Sequence, residues 1–244
     1  PFYAQRSSSP LQLPSDTLAV LNSFLSEQES LKEDFNNVQE KGAEGISVEE
    51  FRRLFGEDWE KSQFWYEPEF AYSLAKSLHA RVNEQSNIVF ISSPTAYVAY
   101  AHLYPSSPNT YLFEFDERFT SLSKRYHHFD LFHPTLPTEL RGNVDLVIVD
   151  PPFLNQYTNE CVVKSLKEMV KPQGEVVLLT STSVRQLVEG PKGLYAGVGQ
   201  GHLKETRVKV KHAGGIQNEF GVWANWDGAE KWDLDQGGEQ VREL

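Results

Sequence analysis

The sequence predicts a doubly wound α/β domain whose sheet ends in an antiparallel hairpin, with a helical appendage in front of it. Three observations carry this expectation. Ile88 to Ile91 and Val144 to Val149 are near-continuous apolar runs, as in central parallel strands covered on both faces. Helix-period stretches fall between successive strand candidates, as a βαβ alternation requires. The last two strand candidates, Thr206 to Lys211 and Phe220 to Trp226, leave no room for a helix between them, because the joining segment contains Gly214 and Gly215.

Residues 15 to 30 place Leu18, Leu21, Phe24 and Leu25 at helical spacing behind Ser15 or Asp16 as a possible N-cap. Residues 36 to 46 are polar and contain Gly42 and Gly45; Ser47 and Glu50 then make a capping box that opens a short helix over Phe51, Leu54 and Phe55. Pro68 suits a first helical position, and its helix runs through Phe70, Leu74, Leu78 and Val82. The other strand candidates are Ile88 to Ser92, Thr110 to Phe115, Phe129 to Phe132 and Glu175 to Thr180. Helices are expected over Ala96 to Leu103 and Cys161 to Val170, the latter stopped by Pro172 and Gly174. The expected units are a helical appendage over 1–60, a core over 61–227 and a polar, acidic tail over 228–244.

At 244 residues, with 39% hydrophobic and 23% charged content, the chain can bury roughly 70% of its unfolded surface. That excludes a disordered tail or a disulfide miniprotein. Cys161 is the single cysteine, and no apolar run reaches the ~18 residues of a membrane span, so neither a disulfide scaffold nor a membrane protein is expected. No basic stretch followed by an apolar one opens the chain, and a soluble cytoplasmic protein is the expectation. The net charge of −11 sits mostly in residues 27 to 60, which carry eleven acidic and four basic side chains. Nucleic acid is not an expected partner. Beyond Arg207, Lys209 and Lys211 there is no basic cluster, and these alternate with Val208 and Val210, as on the solvent face of a strand.

Asp150-Pro151-Pro152-Phe153 follows directly on an apolar strand, where open α/β sheets bind ligands. The paired prolines fix the backbone and remove two donors, leaving carbonyl acceptors beside a carboxylate and a ring. Such a pocket suits an amine. Asp150 and the prolyl carbonyl can hold two N–H groups and aim the nitrogen lone pair, while Phe153 packs over the rest of the substrate. A rigid strand-to-loop turn is the plain alternative.

This motif after the fourth strand of a seven-stranded sheet resembles the signature of amino-methyltransferases. Together with Ser62-Gln63-Phe64-Trp65-Tyr66, Phe113-Glu114-Phe115-Asp116-Glu117-Arg118-Phe119 and Asn218-Glu219-Phe220, it is similar to one eukaryotic family. That family was first described as N6-adenine methyltransferases and is now understood as lysine methyltransferases of translation elongation factor 1-alpha. The resemblance covers about residues 15 to 227. It implies a Rossmann-like, class I methyltransferase sheet of seven strands, S-adenosyl-L-methionine as methyl donor, and elongation factor 1-alpha as protein partner. Asp150 alone does not separate a lysine from a nucleobase; the other three motifs carry that distinction.

The resemblance also implies a cofactor site, with one departure. Where methyltransferases commonly have a G-x-G turn after the first strand, this chain has Ser92-Ser93-Pro94-Thr95. Ser92 and Ser93 are expected at the methionine part, with a helix cap at Ser93 or Thr95 as the alternative. An acid ending the second strand is expected on the ribose hydroxyls, Asp116 first and Glu114 second; a salt bridge from Asp116 to Arg118 is the alternative. Asp130, beside Phe129 and Phe132, matches the acid placed on the adenine amino group. Phe64, Trp65 and Tyr66 resemble the aromatic segment that closes over cofactor and target.

Other chemistries fit less well. His127, His128 and His133 lack the partners of a zinc sphere, and no GxSxG elbow supports a hydrolase. The glycine-rich stretch from Gly190 to Gly201 has no Walker lysine-serine pair and is expected to be a mobile loop. A lysine methyltransferase is therefore the expectation. An adenine-N6 methyltransferase and a catalytically silent binding module stand behind it.

Overall fold

The computed structural model describes residues 15–107, 109–214, 216 and 218–234. Seven strands form one sheet in the order β3-β2-β1-β4-β5-β7-β6. In chain order they are β1 (Ile88–Ile91), β2 (Thr110–Glu114), β3 (Tyr126–His128), β4 (Val144–Val149), β5 (Val170–Ser181), β6 (Lys204–Lys209) and β7 (Phe220–Ala224). Strands β1 to β5 run parallel to one another, whereas β7 pairs antiparallel with both β5 and β6. The helices are α1 (Ser15–Lys41), α2 (Val48–Leu54), α3 (Pro68–His79), α4 (Pro94–Leu103), α5 (Gln156–Met169) and α6 (Arg185–Val188). Among the described residues no helix is long and apolar enough to cross a membrane.

Strand alternation divides the core into two layers. Ile88, Phe90 and Ile148 face one side, where they meet Ile46, Phe51, Leu74 and Trp226. Val89, Ile91 and Val147 face the other, against Leu166, Met169, Tyr195 and Trp223. Both faces of β1 and β4 are thus covered, which is why their sequences read as unbroken apolar runs. Ile46 and Phe51 lie in the same buried cluster as Leu74 and Phe90, so α2 is fused to the core. The Ser47–Glu50 capping box forms as the spacing predicts, with Glu50 N donating to Ser47 Oγ at 3.1 Å and Ser47 N donating to Glu50 Oε2 at 2.6 Å.

Four expectations about the elements are corrected. The helix starting at Ser15 runs to Lys41 and not to about residue 30, because Asp34 and Val38, one turn apart, are buried. Gly42 ends it in the left-handed region at φ 65°. The third strand is Tyr126–His128, and residues 129 to 132 lie in the loop after it. The fifth strand begins at Val170, with a register shift absorbing residues 171 to 174. The segment from Gly190 to Gly201 is packed: Tyr195 and Val198 are 1% exposed, Tyr195 Oη donates to Asn159 Oδ1 at 2.8 Å, and Asn225 Nδ2 donates to Val198 O at 3.1 Å. Arg207 and Lys209 are exposed on β6 beside buried Thr206 and Val208, as their alternation predicts.

Candidate active site

The carboxyl ends of β1, β2 and β4 are brought side by side by the register of the sheet. Ile91 is aligned with Phe113 on one side and Val149 on the other. The ladder continues one step further, Ser92 N donating to Phe113 O at 2.9 Å and Asp150 N to Ile91 O at 3.1 Å. Ser92, Glu114 and Asp150 therefore end three neighbouring strands at one level and line one cavity of about 320 Å³. Phe64, Trp65, Tyr66, Ser93, Asp130, Pro152 and Phe153 line it too. A second cavity of about 700 Å³ shares Ser62, Phe64, Asp150, Pro152 and Phe153 with the first and adds Pro151, Trp59, His212 and Phe220. The Asp150 to Phe153 segment is thus the partition between two chambers.

Asp150 stands at that junction. Tyr66 Oη donates a hydrogen bond to Asp150 Oδ2. Burial pushes the Asp150 carboxyl up to about 7, against the Tyr66 bond, and the Glu114 charge adds to the rise. Glu114, 6% exposed, is likewise pushed up to about 7 by burial, against two backbone donors. Its Oε1 accepts from Phe115 N at 2.9 Å and Asp116 N at 3.2 Å, and its Oε2 has no partner among the described residues. Burial and the Asp150 carboxylate hold the Tyr66 hydroxyl well above its ordinary range.

The structure separates the two acids of the second strand. Asp116 does not line either chamber: it caps the short helical turn after β2, accepting from Arg118 N at 3.0 Å, and takes the Arg118 guanidinium at 2.8 Å. Glu114 and not Asp116, the first choice from the sequence, lines the cavity, and the salt bridge from Asp116 to Arg118 is realised. Asp130 lines the cavity from the loop after β3, its Oδ1 accepting from Phe132 N at 2.8 Å and its Oδ2 lying 3.0 Å from His133 Nδ1. Those bonds, the Phe132 amide first, lower its pKa.

At the first strand, Ser92 adopts φ 51°, a left-handed conformation that favours glycine. Its departure from a glycine turn is one of side chain and not of backbone. Ser93 occupies the N-cap position of α4 but makes no side-chain cap bond, and its Oγ is buried without a hydrogen-bond partner. An unpaired hydroxyl in a cavity wall is a place for a ligand to bond. No site role for Gln63 or His212 is legible in the sequence, and Arg118 enters only as the alternative partner of Asp116. Gln63 and Arg118 bond each other at 2.8 Å across 55 residues of sequence, and His212 packs edge-on to Phe220 at 4.7 Å. Gln63, Arg118 and Phe220 lie within the four family-like motifs; that was the available signal, but contact between motifs is not visible in a sequence.

The chain is similar to several known proteins. The model of the family described as "Probable N6-adenine methyltransferase" matches residues 57–228. Protein-lysine N-methyltransferase EFM5 of Saccharomyces cerevisiae is 31% identical over 230 residues, covering 88% of this chain and 92% of the relative. EEF1A lysine methyltransferase 1 of Homo sapiens is 30% identical over 220 residues, covering 88% and 92%. Among solved structures, a branched-chain polyamine synthase from Thermus thermophilus is 12% identical with a TM-score of 0.48, covering 77% of this chain and 67% of that one. On the match over residues 57–228 and on these relatives, the chain belongs to the methyltransferase family described as "Probable N6-adenine methyltransferase".

Proposed function

We propose that the protein is a protein-lysine N-methyltransferase acting on translation elongation factor 1-alpha. The observation that carries this reading is the make-up of the second chamber. It has no Lys or Arg among its lining residues, Trp59, Phe64, Phe153, His212 and Phe220 wall it, and the Asp150 carboxylate lies at its base. Burial lowers the His212 pKa to about 4, so its ring is neutral near pH 7. Rings and a carboxylate attract an ammonium, whereas a nucleic acid draws affinity from basic groups on its phosphates. The names of the relatives, EEF1A lysine methyltransferase 1 among them, support the same substrate.

The residues of the first chamber fit S-adenosylmethionine. The unpaired Ser93 hydroxyl and the start of α4 suit its amino-acid part, and the open Glu114 Oε2 suits its ribose hydroxyls. Asp130, with Phe129 and Phe132, would hold the adenine. When bound, the cofactor would supply a methyl group on a sulfonium, whose carbon an amine lone pair can take while the C–S electron pair leaves with the thioether. The chain's own task is to present that lone pair. Asp150 Oδ2 is occupied by Tyr66, so the target amine would donate to Oδ1 and to the Pro151 carbonyl, with Phe153 and Phe64 excluding water. A lysine ammonium, with an ordinary pKa of about 10.4, must first lose a proton, and the apolar walls favour its neutral form.

The test is transfer of labelled methyl from the cofactor to elongation factor 1-alpha, set beside adenine-containing DNA and RNA. Label is expected in the protein. Label in nucleic acid with none in protein overturns the lysine reading in favour of adenine-N6 methylation.

A further inference from the structure

A strap of residues 58–66 roofs the first chamber, and Glu60 to Tyr66 all line it. Asp58 and Gln63 pair across a tight turn, Gln63 N donating to Asp58 O at 2.9 Å, and Ser62 sits within it at φ 55°. The far end of the strap is fixed by backbone bonds: Glu67 N donates to Lys211 O, and Ala213 N to Trp65 O, each at 2.8 Å. The near end is held by side chains. Arg118 Nη2 donates to Gln63 Oε1 and to Asp116 Oδ2, both at 2.8 Å, and Gln63 Nε2 donates to that same Asp116 oxygen at 3.2 Å. Lys61 Nζ lies 3.3 Å from it as well.

This cluster joins two segments far apart in the sequence, the strap and the turn after β2. Gln63 is 9% and Asp116 7% exposed, so their bonds are shielded from competing water. Burial opposes the Asp116 charge, yet the Arg118 bonds and the Gln63 amide outweigh it and hold the carboxyl well below the usual carboxylate range. Asp116 and Arg118 do not line the chamber, whereas Gln63 does. They act through the strap, beside the open Glu114 carboxylate at the ribose end of the chamber.

We infer that Gln63, Asp116 and Arg118 are positioning residues that latch the strap over the bound cofactor and set how slowly its demethylated product leaves. The inference rests on the S-adenosylmethionine reading of the first chamber. A bulky nucleoside under residues 60–66 would leave faster when the strap yields, and the latch is the side-chain barrier to that movement.

The experiment compares Gln63→Leu, Asp116→Asn and the double variant Asp116→Asn/Gln63→Glu. The double variant exchanges a carboxylate and an amide between the two positions, so Arg118 still meets one of each. Release of S-adenosylhomocysteine is followed by stopped flow, and amide hydrogen exchange over residues 58–66 is measured without ligand. Each single variant should speed release about ten- to hundredfold, the range for losing a hydrogen bond to a charged group, and deprotect the strap. The exchanged pair should restore both. If Asp116→Asn weakens binding without deprotecting the strap, or the exchanged pair restores neither readout, Asp116 acts on the ligand directly and the latch is wrong. If the unaltered protein does not bind S-adenosylhomocysteine, the cofactor assignment and the product-release role fail, and the exchange data then decide only whether the cluster orders the strap.

Discussion

Replacing Tyr66 by phenylalanine isolates the hydrogen bond on which Asp150 depends. The ring is 1% exposed and meets Phe70 edge-on at 5.2 Å and His212 at 5.3 Å, and all of that packing survives in Tyr66→Phe. Only the hydroxyl that donates to Asp150 is lost. A hydrogen bond to a charged group is worth about 1.5 to 3 kcal/mol, and one pKa unit is about 1.4 kcal/mol, so the loss corresponds to about 1 to 2 units. The bond lowers the Asp150 pKa from where burial would set it; without it the value rises from about 7 to roughly 8.5. The ionised fraction at pH 7.5 then falls from roughly three-quarters to roughly a tenth. Since the target amine donates to the ionised carboxylate, kcat/KM should fall about sevenfold at pH 7.5 and recover at pH 9.5. The assay is label transfer to elongation factor 1-alpha across pH 6 to 9.5 for both proteins. Ionisation of the lysine is common to the two, so the difference between the profiles belongs to Asp150. An acid limb that does not move, or a loss of equal size at every pH, would refute the reasoning.

Glu114→Gln removes the charge offered to the ribose and should weaken S-adenosylmethionine binding by about 1.5 to 3 kcal/mol in calorimetry; unchanged affinity would take the ribose role from Glu114. Because Ser92 sits at φ 51°, Ser92→Gly should keep or raise the melting temperature, whereas the β-branched Ser92→Val should cost about 1 to 3 kcal/mol; equal stabilities would show that the left-handed backbone is not required. Glu114 and Asp150 both titrate near 7 when folded, above their ordinary 4.5 and 3.8, so the folded state holds extra protons between about 4 and 7. The stability they contribute is complete below about 4 and is lost as pH rises through about 7. Without cofactor, Asp150→Asn should therefore be more stable than the unaltered protein by about 4 kcal/mol at pH 8, with the gap closing near pH 4. Urea titrations at pH 4.5, 6 and 8 check this, and parallel pH dependences would contradict it.

How much could be read in advance differs from element to element for definite reasons. Strands β1 and β4 are buried on both faces, so every position is apolar and the pattern is unmistakable. Strand β3 is an edge strand of Tyr-His-His, only partly buried, and has no apolar run to announce it. The apolar residues after it misled, because Phe129 and Leu131 are buried in the core without being in a strand. Helix α1 outran its apolar stripe because buried Asp34, paired with Arg53, supports its later turns, and a buried charge cannot be recognised until its partner is placed. The packed segment from Gly190 to Gly201 looked mobile for a similar reason. At Gly199 a Cβ would stand 2.1 Å from Gly174 O, so its glycine admits a close backbone approach that sequence alone reads as flexibility.

The sheet class and the hairpin that closes it are legible in the amino-acid order alone. Those depend on hydrophobic period and on local turn residues, which are written in adjacent positions. Asp150 is marked out by its place at the end of an apolar strand, whereas Ser92, Ser93, Glu114, Asp116 and Asp130 come from the family resemblance. The folded chain places Glu114 in the cavity wall and Asp116 outside it. The two lie two residues apart and share a face by strand parity, but Arg118 and Gln63 draw Asp116 into a shielded cluster and leave one oxygen of Glu114 open to the cavity. It likewise paired Tyr66 with Asp150 and made the Asp150 to Phe153 segment a partition between two chambers. Hydrogen-bond partners 53 to 84 residues apart are chosen by packing, and a carboxylate takes its proton affinity from that surrounding and not from its neighbours in the chain.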